Sequence, residues 1–130
     1  MSETFVLDAS ALLCLLRGQQ GSERVLTALP RASISAVNLS EVYAKLAEVG
    51  GSEARIVQAI EGLHLRIVPF DAAQACAVGM LHPVTQNLEL SLGDRACLAL
   101  ARQHGAIALT TDRAWAELPE TLDVAVELIG

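Results

Sequence analysis

Residues 4–16, TFVLDASALLCLL, decide how this chain folds. Phe5-Val6-Leu7 is a short apolar run with an aromatic and a β-branched member and no polar alternation. That is the composition of a strand buried on both faces, in a parallel sheet covered by helices. The run stops at Asp8 and helical spacing starts at once, so Asp8 falls at the carboxyl end of a strand. Open α/β sheets build their sites along that edge, in the crevice between loops that lead to opposite faces. Aspartate is also among the preferred helix N-caps. Taken alone, Asp8 reads as a cap or as a ligand-binding carboxylate.

Outward from this stretch, strand-like and helix-like segments alternate. Gly18 and Gly21 end the first helix, and a short helical piece from Ser22 stops at Pro30. Residues 32–35 read as a second strand, with Ser35 capping a helix in which Val37, Leu39, Val42, Leu46 and Val49 recur at helical spacing until Gly50-Gly51. Ser52 caps another helix, residues 65–70 form a third strand, and Asp71 opens the next helix. Residues 83–90 are the least regular part. A strong helix over 91–104 ends at Gly105, residues 107–109 form a fourth strand, Asp112 begins a short helical turn, and residues 124–129 form a last strand. Strands alternating with helices over short connections predict an α/β fold, a central parallel sheet of about five strands layered between helices. At 130 residues the chain is read as a single domain, 1–130, with no repeat, linker or low-complexity segment.

Composition narrows the function classes. The hydrophobic fraction is 52%, and mean hydropathy is +0.42. The longest apolar stretch, residues 11–16, is far too short to span a bilayer. No basic cluster precedes the first apolar run, so it does not resemble a signal peptide, and a cytoplasmic protein is expected. Cys14, Cys76 and Cys97 are odd in number, widely spaced and in apolar helical contexts, and read as reduced core residues. The net charge of −6 argues against a broad nucleic-acid-binding surface. Carboxylates gathered around a cation would lessen that objection, because the ion neutralises them locally.

Four acids stand out by position: Asp8 ends strand one, Glu41 lies in the helix after strand two, Asp94 lies in the first turn of the strong helix, and Asp112 follows strand four. Each has a plain alternative. Asp8 and Asp112 suit caps, Asp94 suits the helix dipole, and Glu41 suits a solvated face. For Glu41 the plain reading is weaker, since Val37, Val42 and Leu46 are apolar and Asn38 lies one turn earlier. Asp71 is read purely as a cap.

With these residues in view, V-L-D-A-S (6–10), I-S-A-V-N-L-S-E-V (34–42), L-S-L-G-D-R-A-C-L-A-L-A (90–101) and L-T-T-D-R-A-W (109–115) resemble the motifs of the PIN-domain ribonucleases, in the form found in VapC-like toxins of toxin–antitoxin systems. The resemblance spans nearly the whole chain and agrees in order, spacing and flanking residues. It implies a three-layer α/β/α PIN-like fold and an acidic pocket of Asp8, Glu41, Asp94 and Asp112 that binds one or two Mg²⁺ or Mn²⁺ ions. Ser10 and Thr110 match small hydroxyl residues that help orient the pocket. The resemblance further implies an endoribonuclease that leaves 5′-phosphate and 3′-hydroxyl ends, a VapB-like antitoxin that covers the pocket, and a homodimer.

The chemistry stands beside the resemblance on its own terms. Phosphodiester hydrolysis needs an activated water, charge stabilisation on the phosphoryl group and help for the departing oxygen, and hard divalent cations held by carboxylates supply all three. Two carboxylates ~5 Å apart at an effective dielectric of about 20 repel by roughly 3 kcal/mol, so a cluster of four is costly without a cation. Arg95 and Arg113 each follow a pocket acid and read as RNA-phosphate contacts or as solvated or ion-paired residues. Trp115 reads as packed, with base stacking as the other option. His64, His82 and His104 share no ligand spacing, and Lys45 is the only lysine. A phosphoacceptor signalling domain would want a lysine after a late strand, where Thr110-Thr111-Asp112-Arg113 stands. An aspartyl-nucleophile phosphatase would want an acid at position 10, which is serine. A non-catalytic PIN-like interaction domain would be expected to lose some of the four acids, and all are present.

Overall fold

The apolar run of the first motif forms β1 (Phe5–Leu7), the central strand of a five-stranded sheet. In the computed structural model, which describes residues 3–130, β2 (Ala32–Ser35) and β4 (Ile107–Thr110) pair with β1 on either side. β3 (Arg66–Val68) and β5 (Ala125–Leu128) form the edges, in the order β3-β2-β1-β4-β5. All pairings are parallel, with Phe5 opposite both Ala32 and Ile107, and Thr110 opposite Leu128. The chain winds outward from β1 to β3 and then restarts on the other side at β4. The order therefore reverses beside β1, where this class of sheet opens a crevice.

Alternate residues of the central strands feed two cores. Phe5, Leu7 and Leu109 pack with residues of α1 (Ala9–Leu16), α2 (Ser22–Ala28) and α4 (Glu53–Glu61). Val6 and Ala108 pack on the other face with Val78 of α5 (Ala72–Met80) and with α7 (Leu92–His104). Helix α3 (Ala36–Glu48) touches both, Val42 in the first cluster and Val37 against the second. The result is the α/β/α three-layer arrangement expected from the alternation of elements. Burying a side chain such as Leu7, Leu12, Leu98 or Leu109, each 0% exposed, stabilises by roughly 1.5–3 kcal/mol.

Local chemistry sets the helix ends. Ser35 and Ser52 accept from the backbone N–H of Val37 and Arg55, and Asp71 accepts from Gln74 N at 3.0 Å, so all three are caps as read. Gly105 closes α7 in the left-handed conformation, φ 60°, which a glycine adopts without steric cost. The irregular 83–90 stretch contains α6 (His82–Thr85) and a 3₁₀ turn, Gln86–Leu88.

Two expectations are corrected. The third strand is shorter than 65–70 because Pro69 has no N–H to donate to the ladder, so pairing ends at Val68. Cys76 is exposed, whereas Cys14 and Cys97 are buried. Helix α5 is apolar nearly all round, so its composition does not reveal which side meets the core. No helix is long and apolar enough to cross a membrane among the described residues.

Candidate acidic site at the strand ends

Asp8 occupies the N-cap position of α1, yet its side chain makes no capping bond. Its backbone N–H extends the β1–β4 ladder to Leu109 O at 3.0 Å. Its Oδ2 instead accepts two hydroxyl protons, from Ser10 Oγ at 2.7 Å and from Thr110 Oγ1 at 2.8 Å. Because each hydroxyl has one proton and both are given to Asp8, the 3.2 Å approach of Ser10 Oγ to Thr110 Oγ1 carries no hydrogen bond. The same two oxygens accept backbone N–H groups of Thr111 and Asp112, each at 3.0 Å. A buried carboxylate, 7% exposed, is thus fixed in place across the crevice between β1 and β4.

Glu41 projects from the second turn of α3. Asn38, one turn before it and fully buried, donates from Nδ2 to Glu41 Oε1 at 3.0 Å and to Gly93 O at 2.9 Å. This couples α3 to the first turn of α7 and aims the Glu41 carboxylate at it. Gly93 leaves the room: a Cβ built there would fall on the Glu41 carboxylate. Asn38 Oδ1 is buried without a partner, an uncompensated polar atom beside the acids. Asp94, the next residue, is drawn into a capping box, accepting from Ser91 N at 3.0 Å while Ser91 Oγ accepts from Asp94 N at 3.1 Å.

Asp112 is exposed and caps the 3₁₀ turn Arg113–Glu117, accepting from Ala114 N at 3.0 Å. Its tie to the other acids is indirect, through its backbone N–H on Thr110.

The electrostatics group three of the four. Burial lifts the Asp8 carboxyl above its ordinary value, the Ser10 and Thr110 hydrogen bonds oppose that, and Asp94 adds to it. Burial likewise lifts Glu41, with the Asn38 bond opposing and the charges of Asp8 and Asp94 reinforcing. Beneath them the fully buried Cys97 thiol is pushed well above its usual range by burial and then by Asp8, Asp94 and Glu41. Asp8, Glu41 and Asp94 therefore feel one another, and no basic side chain offsets Asp8.

Among the described residues, no three His, Cys, Asp or Glu side chains stand close enough to grip one ion between them. Asp94, Asp112 and Glu41 each lean on protein donors, the N–H of Ser91, the N–H of Ala114 and the amide of Asn38. The available donors are all oxygen, from carboxylates and hydroxyls, which is the set that hard divalent cations take.

Among the described residues neither arginine that follows one of the four acids is ion-paired; Arg113 is exposed to solvent, in keeping with the solvated reading, and Arg95 is half-buried. Arg95 donates to Val78 O at 3.3 Å, bracing α7 on α5, and Arg113 donates to Gly130 O at 3.2 Å. Trp115 is packed, 2% exposed. Gly93 and the Ser91 capping partner escaped the sequence reading. An S-x-x-D pattern at a helix start was the available signal for Ser91, whereas nothing local signals that Gly93 makes room for a glutamate on another helix.

A family model described as PIN domain matches residues 5–120. No curated protein matches the chain in sequence. Among solved structures, the chain is similar to one in FitAcB from Neisseria gonorrhoeae, at 25% identity and TM-score 0.71 over 95% of this chain and 96% of that one. It is also similar to a chain of a toxin–antitoxin complex from Klebsiella pneumoniae, at 24% identity and TM-score 0.70, covering 89% of this chain and 93% of that one. A third, in VapBC2 from Rickettsia felis bound to a DNA fragment from their promoter, shares 16% identity with TM-score 0.74, covering 96% and 98%.

Proposed function

Because the chain belongs to the PIN-domain family, we propose that it is a metal-dependent endoribonuclease and the toxin half of a VapBC-type toxin–antitoxin pair, acting in the cytoplasm. The observation that carries this reading is Asp8: a buried carboxylate at the sheet's switch point, held by two hydroxyls, with acidic neighbours and no cation of the protein to offset it. Such an arrangement costs stability and is kept where a bound cation makes use of it. Asp8, Glu41 and Asp94 would hold Mg²⁺ or Mn²⁺, with Asp112 completing the pocket or serving a second ion. When bound, the cation supplies an activated water and stabilises charge on the phosphoryl group.

The chain's own residues do the positioning. Ser10 and Thr110 fix Asp8 Oδ2 and leave its other oxygen for a ligand. Asn38 and Gly93 direct Glu41. Asp94, freed from Ser91, turns toward the others at the cost of its capping bonds. RNA is the substrate class that the family resemblance implies. The antitoxin and a second copy of the chain have a surface to meet: Met80, Val84 and Leu92 are 65%, 62% and 49% exposed, and Met80 and Val84 line a cavity of about 550 Å³ between α5, α6 and α7.

The deciding experiment is RNA cleavage with and without Mn²⁺ by Asp8→Asn, Glu41→Gln, Asp94→Asn and Asp112→Asn. Asparagine caps a helix about as well as aspartate, so a capping role predicts retained activity. A ligand role predicts a fall of several orders of magnitude with the fold intact. Full activity in Asp8→Asn and Asp94→Asn would refute the mechanism. On strong expression the wild-type chain should arrest growth, and a partner encoded beside it should relieve the arrest. An Asp94→Ala chain as toxic as wild type would separate toxicity from cleavage.

A further inference from the structure

At the opposite edge of the sheet, where the strands begin, the molecule carries a second cavity of about 550 Å³, and its lining reverses the charge of the acidic site. Arg31, His64, Arg66 and His104 line it, with Leu29 and Pro30 supplying apolar surface and no Asp or Glu among the lining residues. In a chain of net charge −6, this gathers two of eight arginines and two of three histidines around one hollow. The ion pairs among the described residues are Arg24–Glu127 and Lys45–Glu48, so neither Arg31 nor Arg66 has a carboxylate partner.

A plainer account covers part of this. His104 is the last residue of α7 and Arg31 ends the 3₁₀ turn Leu29–Arg31, places where a cation answers the free carbonyls of a helix end. Arg66 has no such reason, since it opens the edge strand β3. His64, in the left-handed conformation with φ 53°, sits in the connection between α4 and β3 and lines the hollow together with Arg66. Guanidinium groups present forked donors that match phosphate oxygens, and a hollow of this volume is the size of small-molecule sites.

We propose that this cleft binds a free phosphorylated small molecule of nucleotide size, its phosphates between Arg31 and Arg66 and its apolar part on Leu29 and Pro30. The convergence of the cations on one hollow, not along a track, favours a compact ligand over a polynucleotide. The site lies at the far end of the strands from Asp8 and stands independently of the proposed nuclease reading.

The test uses the full-length protein in EDTA, so that phosphate cannot bridge to a metal at the acidic site. Calorimetric titration with ADP, adenosine and a short single-stranded RNA is run alongside NMR of the histidine side chains. ADP should bind at one site and move the His64 and His104 ring signals, and adenosine should not. Arg66→Gln and Arg31→Gln should each weaken ADP binding at least 10-fold with unchanged melting temperature, while Arg113→Gln should not weaken it. If Arg31→Gln alters melting, Arg66→Gln still decides, because Arg66 caps nothing. Absence of ADP binding at millimolar concentration, adenosine binding as well as ADP, binding insensitive to both arginine variants, or RNA binding the cleft more tightly than ADP would each overturn the proposal.

Discussion

Two acids on neighbouring parts of the same sheet live in opposite circumstances. Glu127 on β5 has its cation built in: Arg24 of α2 donates Nε to Oε2 at 2.6 Å and a terminal nitrogen to Oε1 at 3.0 Å, while its guanidinium lies 4.9 Å from the Phe5 ring centre. That pairing holds the Glu127 carboxyl below its usual range and raises Arg24. Asp8, just past the end of β1, is more deeply buried and has only hydroxyls, and burial moves its carboxyl the other way. The forked, paired acid is a fastener between a helix and an edge strand. The unpaired one keeps its demand for positive charge open, and under the proposed function that difference separates a structural carboxylate from one that would hold a cation.

The sharpest way to break this contrast after the Asp8→Asn assay is Gly93→Ala. The added methyl must push the Glu41 carboxylate aside, and the flexible end of a glutamate yields easily. Alanine is also favoured over glycine within a helix by up to about 1 kcal/mol. Cleavage should fall by about 10²-fold, the order expected for a misplacement of ~1 Å, while the melting temperature holds or rises. A variant that unfolds while wild-type specific activity survives in its folded fraction would show that Glu41 needs no such space.

Cation binding comes next. A ligand that binds only the native state at ~100 times its Kd stabilises by about 2.7 kcal/mol. Metal-stripped wild type should therefore melt several degrees higher in millimolar Mn²⁺, Asp8→Asn should gain much less, and Glu127→Gln should gain as much as wild type. An equal shift in all three would place the ion elsewhere.

The pH dependence has a defined sign. In the metal-free protein the Asp8 carboxyl holds its proton to higher pH in the folded than in the unfolded chain. Its contribution is favourable below the ordinary carboxylate value and is lost as pH rises through the raised folded value. Relative to Asp8→Asn, metal-free wild type should lose stability as pH rises above the ordinary carboxylate value of about 4, and Mn²⁺ should reverse that trend. Denaturant melts at several pH values measure it, and a difference that does not change with pH would remove the burial argument.

The smallest effect belongs to the fastener. Glu127→Gln should cost about 0.2–1 kcal/mol, the range for a partly exposed pair whose side chains are each 35% exposed. Cleavage should not change. A loss of activity there would mean that the two acids are coupled.

These residues also mark what a sequence discloses. Caps at Ser35, Ser52 and Asp71 were legible because capping is settled within four residues. The strand ending at Asp8 was legible because an apolar run and a helical pattern meet there. The Arg24–Glu127 pair joins positions 103 apart, and no local pattern announces it. Cys76 departs from the expected core position because an apolar helix does not declare which side faces the core. The four acids were conspicuous by position and motif. The capping grip of Ser91 on Asp94 and the space at Gly93 emerge only when α3 and α7 are brought side by side.

Trp115 gives the acidic site an optical gauge. It is the only tryptophan in the chain, it is buried at 2% exposure, and it rides on the short turn whose first bond is the cap from Asp112. Its Nε1–H has no partner, so its emission reports the polarity of the core against which the turn rests. If an ion drew Asp112 away from Ala114 N, the turn would loosen and the indole's surroundings would change. Tryptophan emission recorded as Mn²⁺ is added would then shift in wild type and not in Asp112→Asn, with no label attached.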